Sequence, residues 1–299
     1  MDVNSQQYNP NPVYVVITPA RDEQDHIETT ISTVIEQTLQ PAEWIIVNDG
    51  SNDQTGSIAD SYASKYPWIH VIHVKDRGHR SPGTGVIQAF YEGYRIIGQT
   101  DWEFLIKLDA DLELSPKYFE SCFRHFRDES SLGIAGGTIR SRHNGSGKCF
   151  IEKTPRFHVR GATKIYRRQC WNEIGGLLYS PGWDTWDEVK ANYCGWKTRT
   201  FDDVPLTQLR GTGEVEGHWQ DFVKNGKANY VCGYHPLFML AKFSKRFLHN
   251  RTRKSSVALI YGYLSSAVKA VEQVQERDII KYLRREQLKR LLGLPSIWN

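Results

Sequence analysis

The sequence predicts an α/β fold with a mostly parallel, doubly wound sheet flanked by helices, followed by further helices at the C-terminus. Short apolar runs alternate along the first half of the chain with segments whose apolar residues recur at helical spacing. The connections between these segments are short, which is typical of strand–helix–strand units in a parallel sheet. The first run, residues 13–18, is rich in β-branched residues, as expected of a strand buried on both faces.

This alternation predicts the individual elements in order. The strands are residues 13–18, 44–47, 69–74, 104–108 and 132–139. The helices are residues 27–39, 54–65 and 85–97, and then two C-terminal helices at 256–275 and 278–292. Another helix is expected just after the fourth strand, with Ser115 as its N-cap and Pro116 in its first turn. In such sheets ligands bind at the carboxyl ends of the strands.

The composition fits one large domain with an extension and disfavours several classes of protein. The 299 residues carry a net charge of +4, which does not by itself indicate a nucleic-acid partner. No apolar run is long enough to span a bilayer, and residues 1–12 lack the apolar core of a signal peptide. The five cysteines are scattered without Cys-x-x-Cys spacing, which indicates free thiols in a reducing cytoplasm.

Two carboxylates stand directly after the fourth predicted strand. Asp109 and Asp111 follow the apolar run 104–108, and Asp49 follows the second strand. An aspartate at a strand end is often only a turn residue. Clustered acidic groups repel one another, however, unless a cation joins them, and Mg²⁺ and Mn²⁺ prefer such hard oxygen ligands. A metal ion held at this edge can clamp a nucleotide diphosphate.

Four motifs occur in order between residues 13 and 236. They are Val-Val-Ile-Thr-Pro-Ala-Arg-Asp-Glu at 15–23, Ile-Ile-Val-Asn-Asp-Gly-Ser at 45–51, Lys-Leu-Asp-Ala-Asp at 107–111, and Ile-Gly-Gly-Leu at 174–177 with Gly-Trp-Asp-Thr-Trp-Asp-Glu at 182–188. Together they resemble the inverting glycosyltransferases of family 2, which have the Rossmann-like GT-A fold. The resemblance implies a catalytic domain over 1–240, with a nucleotide-binding half (13–140) and an acceptor half (141–240), and a basic helical extension over 241–299.

The resemblance also implies roles for individual residues at the donor site. The residues expected to contact the nucleotide sugar are Pro19, Ala20, Arg21, Glu23, Asp49, Ser51, Arg80, Lys107 and Asp109. Asp49 would accept a hydrogen bond from the base, as the matching acid does from uracil in relatives that use UDP-sugars. Asp109 and Asp111 would hold Mg²⁺ or Mn²⁺ beside the diphosphate.

Asp184 matches the general base of the family, which would take the proton from the acceptor hydroxyl. Trp183 replaces the glutamate that usually precedes this aspartate, so Asp187 is an alternative base. The segment also fits a capping box, with Asp184 as the N-cap of a helix that ends near Cys194. The two interpretations of Asp184 are compatible, because a capping residue can also face a pocket.

Other side chains are candidates for contact with the diphosphate or the acceptor, namely Arg142, His143, Trp183, Arg210 and His218. Trp183 could stack on a sugar ring, although large aromatic residues pack in cores by default. Gln208 stands where relatives often carry the histidine of a His-x-Arg motif. If that histidine helps to hold metal or phosphate in relatives, this chain either does without it or uses His218. The alternative for His218 is an ordinary surface histidine.

Two basic segments leave several interpretations open. Residues 140–168 could grip the diphosphate, receive an anionic lipid-linked acceptor, or form a solvated face. Residues 242–275 combine basic with apolar side chains, partly at helical spacing, which is typical of a segment lying on an anionic membrane surface. The alternative is a pair of helices packed on the catalytic domain or across a homodimer.

The resemblance therefore implies a metal-dependent, inverting transferase in the cytoplasm, peripheral on the inner face of the membrane. It would move one sugar from a nucleotide sugar, with UDP favoured over GDP, to a saccharide acceptor, expected to be lipid-linked, in surface polysaccharide or glycoconjugate biosynthesis. One alternative is a nucleotidyl or phosphosugar transferase, but the glycine-rich phosphate loop typical of those enzymes does not follow the first strand. The other is a non-catalytic protein that binds nucleotide sugars or nucleic acid, although no nucleic-acid partner is expected.

Overall fold

A computed structural model describes residues 11–76, 84–142, 149–151, 154–210, 218–249 and 252–298. The strands of this described part join one sheet. They are β1 (Tyr14–Ala20), β2 (Glu43–Asp49), β3 (Ile69–Val74), β4 (Phe104–Leu108), β5 (Leu112–Glu113), β6 (Leu132–Arg142), β7 (Cys149–Ile151), β8 (Thr163–Arg167) and β9 (Lys197–Gln208).

The sheet has a parallel half and a mixed half. The strand order is β3-β2-β1-β4-β8-β6-β9-β5, and β7 pairs with β6. Strands β3, β2, β1 and β4 are parallel, whereas β8 is antiparallel to β4 and β6, and β5 is antiparallel to β9. The carboxyl ends of β1, β2 and β4 therefore meet at one edge of the sheet. The predicted α/β class, with a parallel sheet in the first half, is confirmed.

Helices cover both faces of the sheet. They are α1 (Ile27–Ile35), α2 (Thr55–Ala63), α3 (Gly85–Arg95), α4 (Tyr118–Asp128), α5 (Arg168–Ile174), α6 (Trp183–Tyr193), α7 (His218–Val231), α8 (Pro236–Phe247), α9 (Arg253–Val268) and α10 (Arg277–Leu291). Successive residues of a strand point to opposite faces. Val16 of β1 therefore shares one core with Ile31 of α1, while Ile17 shares the other with Phe90 of α3.

The C-terminal helices form a third apolar cluster against α6. Trp186 of α6 is buried there with Met239 of α8, Leu259 of α9 and Leu283 of α10. Helix α8 runs through the predicted boundary at residue 240, and the division of the chain into a catalytic domain and an extension stays a prediction. Every helix in the described part of the chain is too short or too polar to cross a bilayer.

Several predicted helix boundaries are wrong, and α1, for example, ends at Ile35 instead of continuing to residue 39. Helix α4 begins at Tyr118, so Ser115 and Pro116 lie in the turn before it, where the Ser115 carbonyl accepts a hydrogen bond from the Tyr118 N–H at 2.9 Å. Helix α9 ends at Val268 instead of continuing to residue 275, and Ala270 just beyond it has a left-handed φ of 47°. The apolar spacing that predicted the longer helix continues through this non-helical turn.

The sequence analysis missed the strands β5, β7, β8 and β9. Strand β5 is two residues long, and β9 carries several charged residues and a proline, so neither shows the alternation of a half-buried strand. Strand β9 pairs with β6 across a register shift between Gly137 and Thr138, an irregularity that depends on the partner strand.

Candidate functional site

The loop after β1 donates backbone hydrogen bonds to side chains in the loop after β2 and at the start of α2. The Asp22 N–H donates to Ser51 Oγ at 3.0 Å, and the Glu23 N–H donates to Thr55 Oγ1 at 2.7 Å. Asp22 has a φ of 54°, an uncommon backbone conformation for a residue other than glycine. The predicted site residues Glu23 and Ser51 are thus brought together at the predicted edge of the sheet.

Arg21 braces the same edge with its side chain. Its Nη1 donates to the Asp49 carbonyl at 3.2 Å and its Nη2 donates to Asp76 Oδ1 at 2.8 Å. Pro19 and Ala20 end β1 directly before it, and Asp49 is the buried last residue of β2. The structure therefore places Pro19, Ala20, Arg21 and Asp49, all predicted to contact the nucleotide, side by side at the carboxyl ends of two parallel strands.

Asp111 is buried beside a second carboxylate. Burial, together with the neighbouring Asp109 carboxylate, raises the pKa of Asp111 to about 6, although a hydrogen bond from Gln208 lowers it. That bond runs from Gln208 Nε2 to Asp111 Oδ2 at 3.1 Å. Of these two neighbouring carboxylates, Asp111 is only 6% exposed. A cation bound between them would offset both the desolvation cost of the buried charge and the repulsion between the two carboxylates.

Lys107 lies in the core next to Asp109 and donates a hydrogen bond to its carboxylate. Its buried ammonium donates to Asp109 Oδ1 and, at 2.6 Å, to the carbonyl of Gly161. The Asp109 side chain keeps 31% of its surface exposed. Lys107 is therefore a buried residue that positions the partly exposed Asp109 carboxylate, and its contact with the nucleotide sugar stays a prediction.

Arg210 ties the end of β9 to the loop after β1. Its Nη2 lies 2.6 Å from Glu23 Oε2 and 3.3 Å from the Asp22 carbonyl. The positive charge of Arg210 also favours the ionised form of Asp111. The structure thus brings Arg210, Glu23 and Asp111 to the same edge of the sheet.

The residues at this edge fit a divalent cation. Asp109 and Asp111 supply carboxylate oxygens, the donor type preferred by Mg²⁺ and Mn²⁺. The Oε1 atom of Gln208, next to Asp111, is buried and has no hydrogen-bond partner among the described residues. The described ranges contain no group of three or more His, Cys, Asp or Glu side chains that could hold a metal ion together.

The start of α6 carries the predicted base. Helix α6 begins at Trp183 after Gly182, whose φ is 91°, and no side-chain hydrogen bond caps it. The predicted capping box with Asp184 as N-cap is therefore wrong, because glycine supplies the left-handed turn and Asp184 lies inside the first helical turn. Asp184 is half-buried, and no described residue donates a hydrogen bond to its carboxylate.

Trp183 lies between two buried cations and connects Asp184 to the Asp109 side of the site. Its ring is 5.3 Å from the Lys107 ammonium and 5.6 Å from that of Lys164. A Cβ added at Gly161 would lie 3.0 Å from this ring and 3.4 Å from the Asp184 Cβ. Since the indole is only 6% exposed, the geometry favours core packing for Trp183 over stacking on a sugar.

Lys164 holds the first turns of α6 in place. Its buried ammonium donates to Asp187 Oδ1 and Glu188 Oε1, both at 2.8 Å, and to the Asp184 carbonyl. The Tyr166 hydroxyl donates to Asp187 Oδ2 at 2.6 Å. Both oxygens of Asp187 are thus occupied in the core, which favours a positioning role for Asp187 and leaves Asp184 as the better candidate base.

The second carboxylate of this cluster has its own partners. Glu188 Oε2 lies 2.9 Å from His158 Nδ1, and Glu188 Oε1 accepts from the Val159 N–H at 2.7 Å. Burial lowers the pKa of His158, but the Glu188 carboxylate outweighs it and the net pKa is raised. The sequence analysis included Glu188 only as the last residue of the fourth motif, and it missed Lys164 and His158. The available signal for Lys164 was a lysine inside the short run Thr163–Arg167, which forms β8.

Four predicted contacts lie outside what the structure describes. Arg80 and His143 fall outside the described residues. Arg142 ends β6 and His218 begins α7, but their side chains also lie outside the described part. Their expected contacts with phosphate or acceptor stay predictions.

We expect Lys164→Met to destabilise the chain strongly, because it leaves two buried carboxylates without their shared cation. The loss of unfolding free energy at pH 7 should be about 3–5 kcal/mol, measured by urea denaturation. Burial already raises the pKa of Asp187 to about 6, above the ~3.9 of an unfolded chain. Protonation therefore favours the folded state, and the variant should regain stability between pH 7 and about pH 5.

The matched control for this variant is Lys281→Met. Lys281 pairs with Asp278 at 2.9 Å, but its side chain is 77% exposed. Its loss should cost less than about 1 kcal/mol at either pH. Equal losses for the two variants would contradict a buried clamp at Lys164.

Known proteins resemble the chain in both sequence and fold. The poly-beta-1,6-N-acetyl-D-glucosamine synthase of Staphylococcus aureus is 30% identical over 42% of this chain and 28% of its own length. The mannosyltransferase PcManGT from Pyrobaculum calidifontis, solved with GDP-Man and Mn²⁺, has a TM-score of 0.57 at 15% identity, over 97% of this chain and 83% of its own. The S. aureus protein TarS 1-349, solved with UDP-GlcNAc, has a TM-score of 0.53 at 15% identity, over 93% and 81%.

These likenesses differ in what they show. The two structural likenesses confirm the GT-A fold. At 15% sequence identity they show the fold alone. The chain matches only about a third or less of the length of the first curated relatives. The model of the family "Glycosyl transferase family 2" matches residues 15–176, more than half of the chain. The chain therefore belongs to glycosyl transferase family 2.

Proposed function

We propose that this chain transfers one sugar from a nucleotide sugar to a saccharide acceptor, with inversion at the anomeric carbon. One observation carries the proposal: Lys107 joins Asp109 to Gly161, and Gly161 packs against Asp184. A pair of carboxylates suited to a metal–diphosphate complex and a carboxylate suited to act as a base are thereby held on either side of one buried lysine. The nucleotide sugars in the solved neighbours, GDP-Man and UDP-GlcNAc, support the same donor class.

The donor half of the site would hold the nucleotide and its leaving diphosphate. Bound by Asp109 and Asp111, Mg²⁺ or Mn²⁺ would supply Lewis-acid stabilisation of that diphosphate. Arg210, which already lies beside Glu23 and Asp111, adds a positive charge at the same edge. Asp49, at the end of β2, is proposed to accept a hydrogen bond from the nucleobase, as the matching acid does from uracil in relatives that use UDP-sugars, so UDP is favoured over GDP.

Asp184 is proposed as the general base. Its carboxylate accepts no hydrogen bond from the described residues, whereas both oxygens of Asp187 are occupied. A carboxylate within reach of the acceptor hydroxyl takes its proton as the oxygen attacks the anomeric carbon. Attack from the face opposite the diphosphate inverts that carbon, so one base is sufficient and no covalent intermediate on the protein is needed.

The acceptor is proposed to be a growing saccharide, lipid-linked, in the synthesis of a surface polysaccharide or glycoconjugate. The similarity to a poly-N-acetylglucosamine synthase supports the saccharide class. The halves 13–140 and 141–240 would then bind donor and acceptor respectively. The nucleotidyl-transferase alternative is disfavoured because the loop after β1 uses its backbone N–H groups to bind Ser51 and Thr55 rather than leaving them for a phosphate.

The C-terminal helices are proposed to rest on an anionic membrane surface at the cytoplasmic face. Two of them expose apolar side chains at helical spacing. These are Leu237, Leu240, Phe247 and Leu248 on α8, and Val257, Tyr261, Leu264 and Val268 on α9. The exposed cations Lys245, Arg253 and Lys254 lie on the same two helices, as charge complementarity with anionic lipids requires. The opposite faces pack in the core, so packing and membrane contact are compatible.

The donor proposal predicts metal-dependent binding of a nucleotide. UDP and UDP-sugars with Mn²⁺ should raise the melting temperature, by an amount equivalent to about 2.7 kcal/mol at 100 times the Kd. Asp111→Ala should abolish the metal-dependent part, while Asp278→Ala on α10 should leave it unchanged. A melting temperature that no nucleoside diphosphate alters in the presence of metal would refute the donor site. A larger shift with GDP than with UDP would assign guanine instead of uracil as the nucleobase of the donor.

The base proposal predicts separate effects of two neighbouring substitutions. Asp184→Asn should bind UDP and Mn²⁺ as the wild type does, yet lose about 10²–10⁴ in transfer rate, measured as UDP release with saccharide acceptors. Asp187→Asn should instead lower the melting temperature, because Lys164 loses a charged partner. Wild-type turnover in Asp184→Asn would move the role of base to another residue.

The membrane proposal predicts that exposed leucines govern vesicle binding. Leu240→Ser and Leu264→Ser, each at a side chain 54% exposed, should reduce co-sedimentation with phosphatidylglycerol vesicles at low salt without changing the melting temperature. Leu292→Ser, beyond the end of α10, is the control and should bind as the wild type does. Failure of the wild type to bind these vesicles, together with a dimer in solution, would assign the stripes to a second copy of the chain.

A further inference from the structure

We propose that the side-chain oxygen of Gln208 is a third protein ligand of the divalent cation, which makes the site one of oxygen donors only. The inference rests on the proposed function in one respect, namely that a cation binds at Asp109 and Asp111. It adds Gln208, which replaces the histidine of the His-x-Arg motif in this chain, to the proposed ligands of the site. It also specifies which metals the site should prefer.

The backbone places Gln208 next to Asp111 by strand pairing. Gln208 is the last residue of β9 and lies opposite Leu112 of β5, one residue after Asp111. The adjoining Leu209 N–H donates to the Asp111 carbonyl at 2.8 Å. The position of the amide is therefore set by a pair of hydrogen-bonded strands, which hold a side chain more rigidly than a loop does.

The side-chain amide is satisfied on one side only. Its Nε2 donates to Asp111 Oδ2 at 3.1 Å, but its Oε1 is buried and accepts nothing from the described residues. A buried carbonyl oxygen without a donor is unfavourable, and such groups are uncommon in folded proteins. A cation bound beside Asp111 would give this unsatisfied oxygen a partner.

The spacing of the two side chains also fits a coordination shell. Neighbouring oxygens around an octahedral ion with bonds of about 2.0–2.1 Å lie about 3 Å apart. Gln208 Nε2 lies 3.1 Å from Asp111 Oδ2, so the side-chain amide is already at about the separation expected of two adjacent ligands. Its Oε1 can therefore bind a cation beside Asp111 while Nε2 keeps its hydrogen bond to that carboxylate.

The donor set has a consequence for metal choice. Two carboxylates and one amide are hard oxygen ligands, which suit Mg²⁺ and Mn²⁺, whereas nitrogen or sulfur ligands would favour zinc or copper. A role of Gln208 that is limited to orienting Asp111 by a hydrogen bond would leave the shell with two protein oxygens. The two possibilities differ in whether an atom of residue 208 touches the metal.

The test measures Mn²⁺ binding to the full chain in the presence of UDP, from the loss of the free Mn²⁺ signal in electron paramagnetic resonance. Gln208→Leu should weaken Mn²⁺ binding by about 10–100-fold. Gln208→Glu keeps an oxygen and adds a charge, so it should bind Mn²⁺ at least as tightly as the wild type. Gln169→Leu, an exposed residue on α5, is the matched control and should change nothing. Melting temperatures verify that each variant is folded.

Gln208→His distinguishes a ligand from an orienting residue. A histidine that takes the place of a ligand brings nitrogen into the metal shell, so pulsed resonance of bound Mn²⁺ should show a directly bonded ¹⁴N coupling that the wild type lacks. Zn²⁺ should also compete with Mn²⁺ more strongly in this variant than in the wild type. Absence of that nitrogen coupling in Mn²⁺-bound Gln208→His would overturn the inference.

The outcomes separate this inference from the proposed function. Wild-type Mn²⁺ affinity in Gln208→Leu, with weakened binding in Asp111→Ala, would overturn the role of Gln208 and leave the donor site intact. Weaker Mn²⁺ binding by Gln208→Glu than by the wild type would also overturn it. That result is expected if Gln208 only orients Asp111, because a glutamate at this position would repel the Asp111 carboxylate. No Mn²⁺ binding by the wild type would overturn the metal site itself.

Discussion

The buried ammonium of Lys107 is the contact on which the geometry of the site depends. It comes from the middle of the sheet and reaches both the Asp109 carboxylate and the Gly161 carbonyl. Gly161 in turn packs on Trp183 and Asp184, where a larger residue would be crowded. The parallel half of the sheet and the start of α6 are therefore held at a set separation, and the proposed donor and base groups keep that separation.

Buried charge is used in the same way on the other side of Trp183. Lys164 serves Asp187 and Glu188 together, and Tyr166 and His158 complete the hydrogen bonds of those two acids. Removing one partner from such a cluster leaves an uncompensated ion, which is far more costly than losing an exposed pair. The fully enclosed acids thus hold α6 in place, while Asp184, Asp109 and Asp111 are the acids to which the proposed function gives a chemical role.

The principal carboxylates of the site were predictable, because their positions follow from topology. Asp49 and Asp109 stand directly after apolar runs, and parallel strands bring such residues to one edge. The capping box at Asp184 was wrong because Gly182 adopts a left-handed turn that the spacing of acids does not reveal. The choice between Asp184 and Asp187 needed their partners, which come from a strand that the sequence pattern did not show.

The sequence by itself determined the class of fold, the family and the acids that mark the edge of the sheet, since short-range order along the chain encodes strand ends and motifs. Only the tertiary structure decided which acids are paired with a buried cation, as Asp187 and Glu188 are with Lys164, and which have no such partner in the core. Lys164, His158 and Gln208 are remote in sequence from most of the groups they contact. Their role depends on strand pairing and burial, and neither is a property of any local segment.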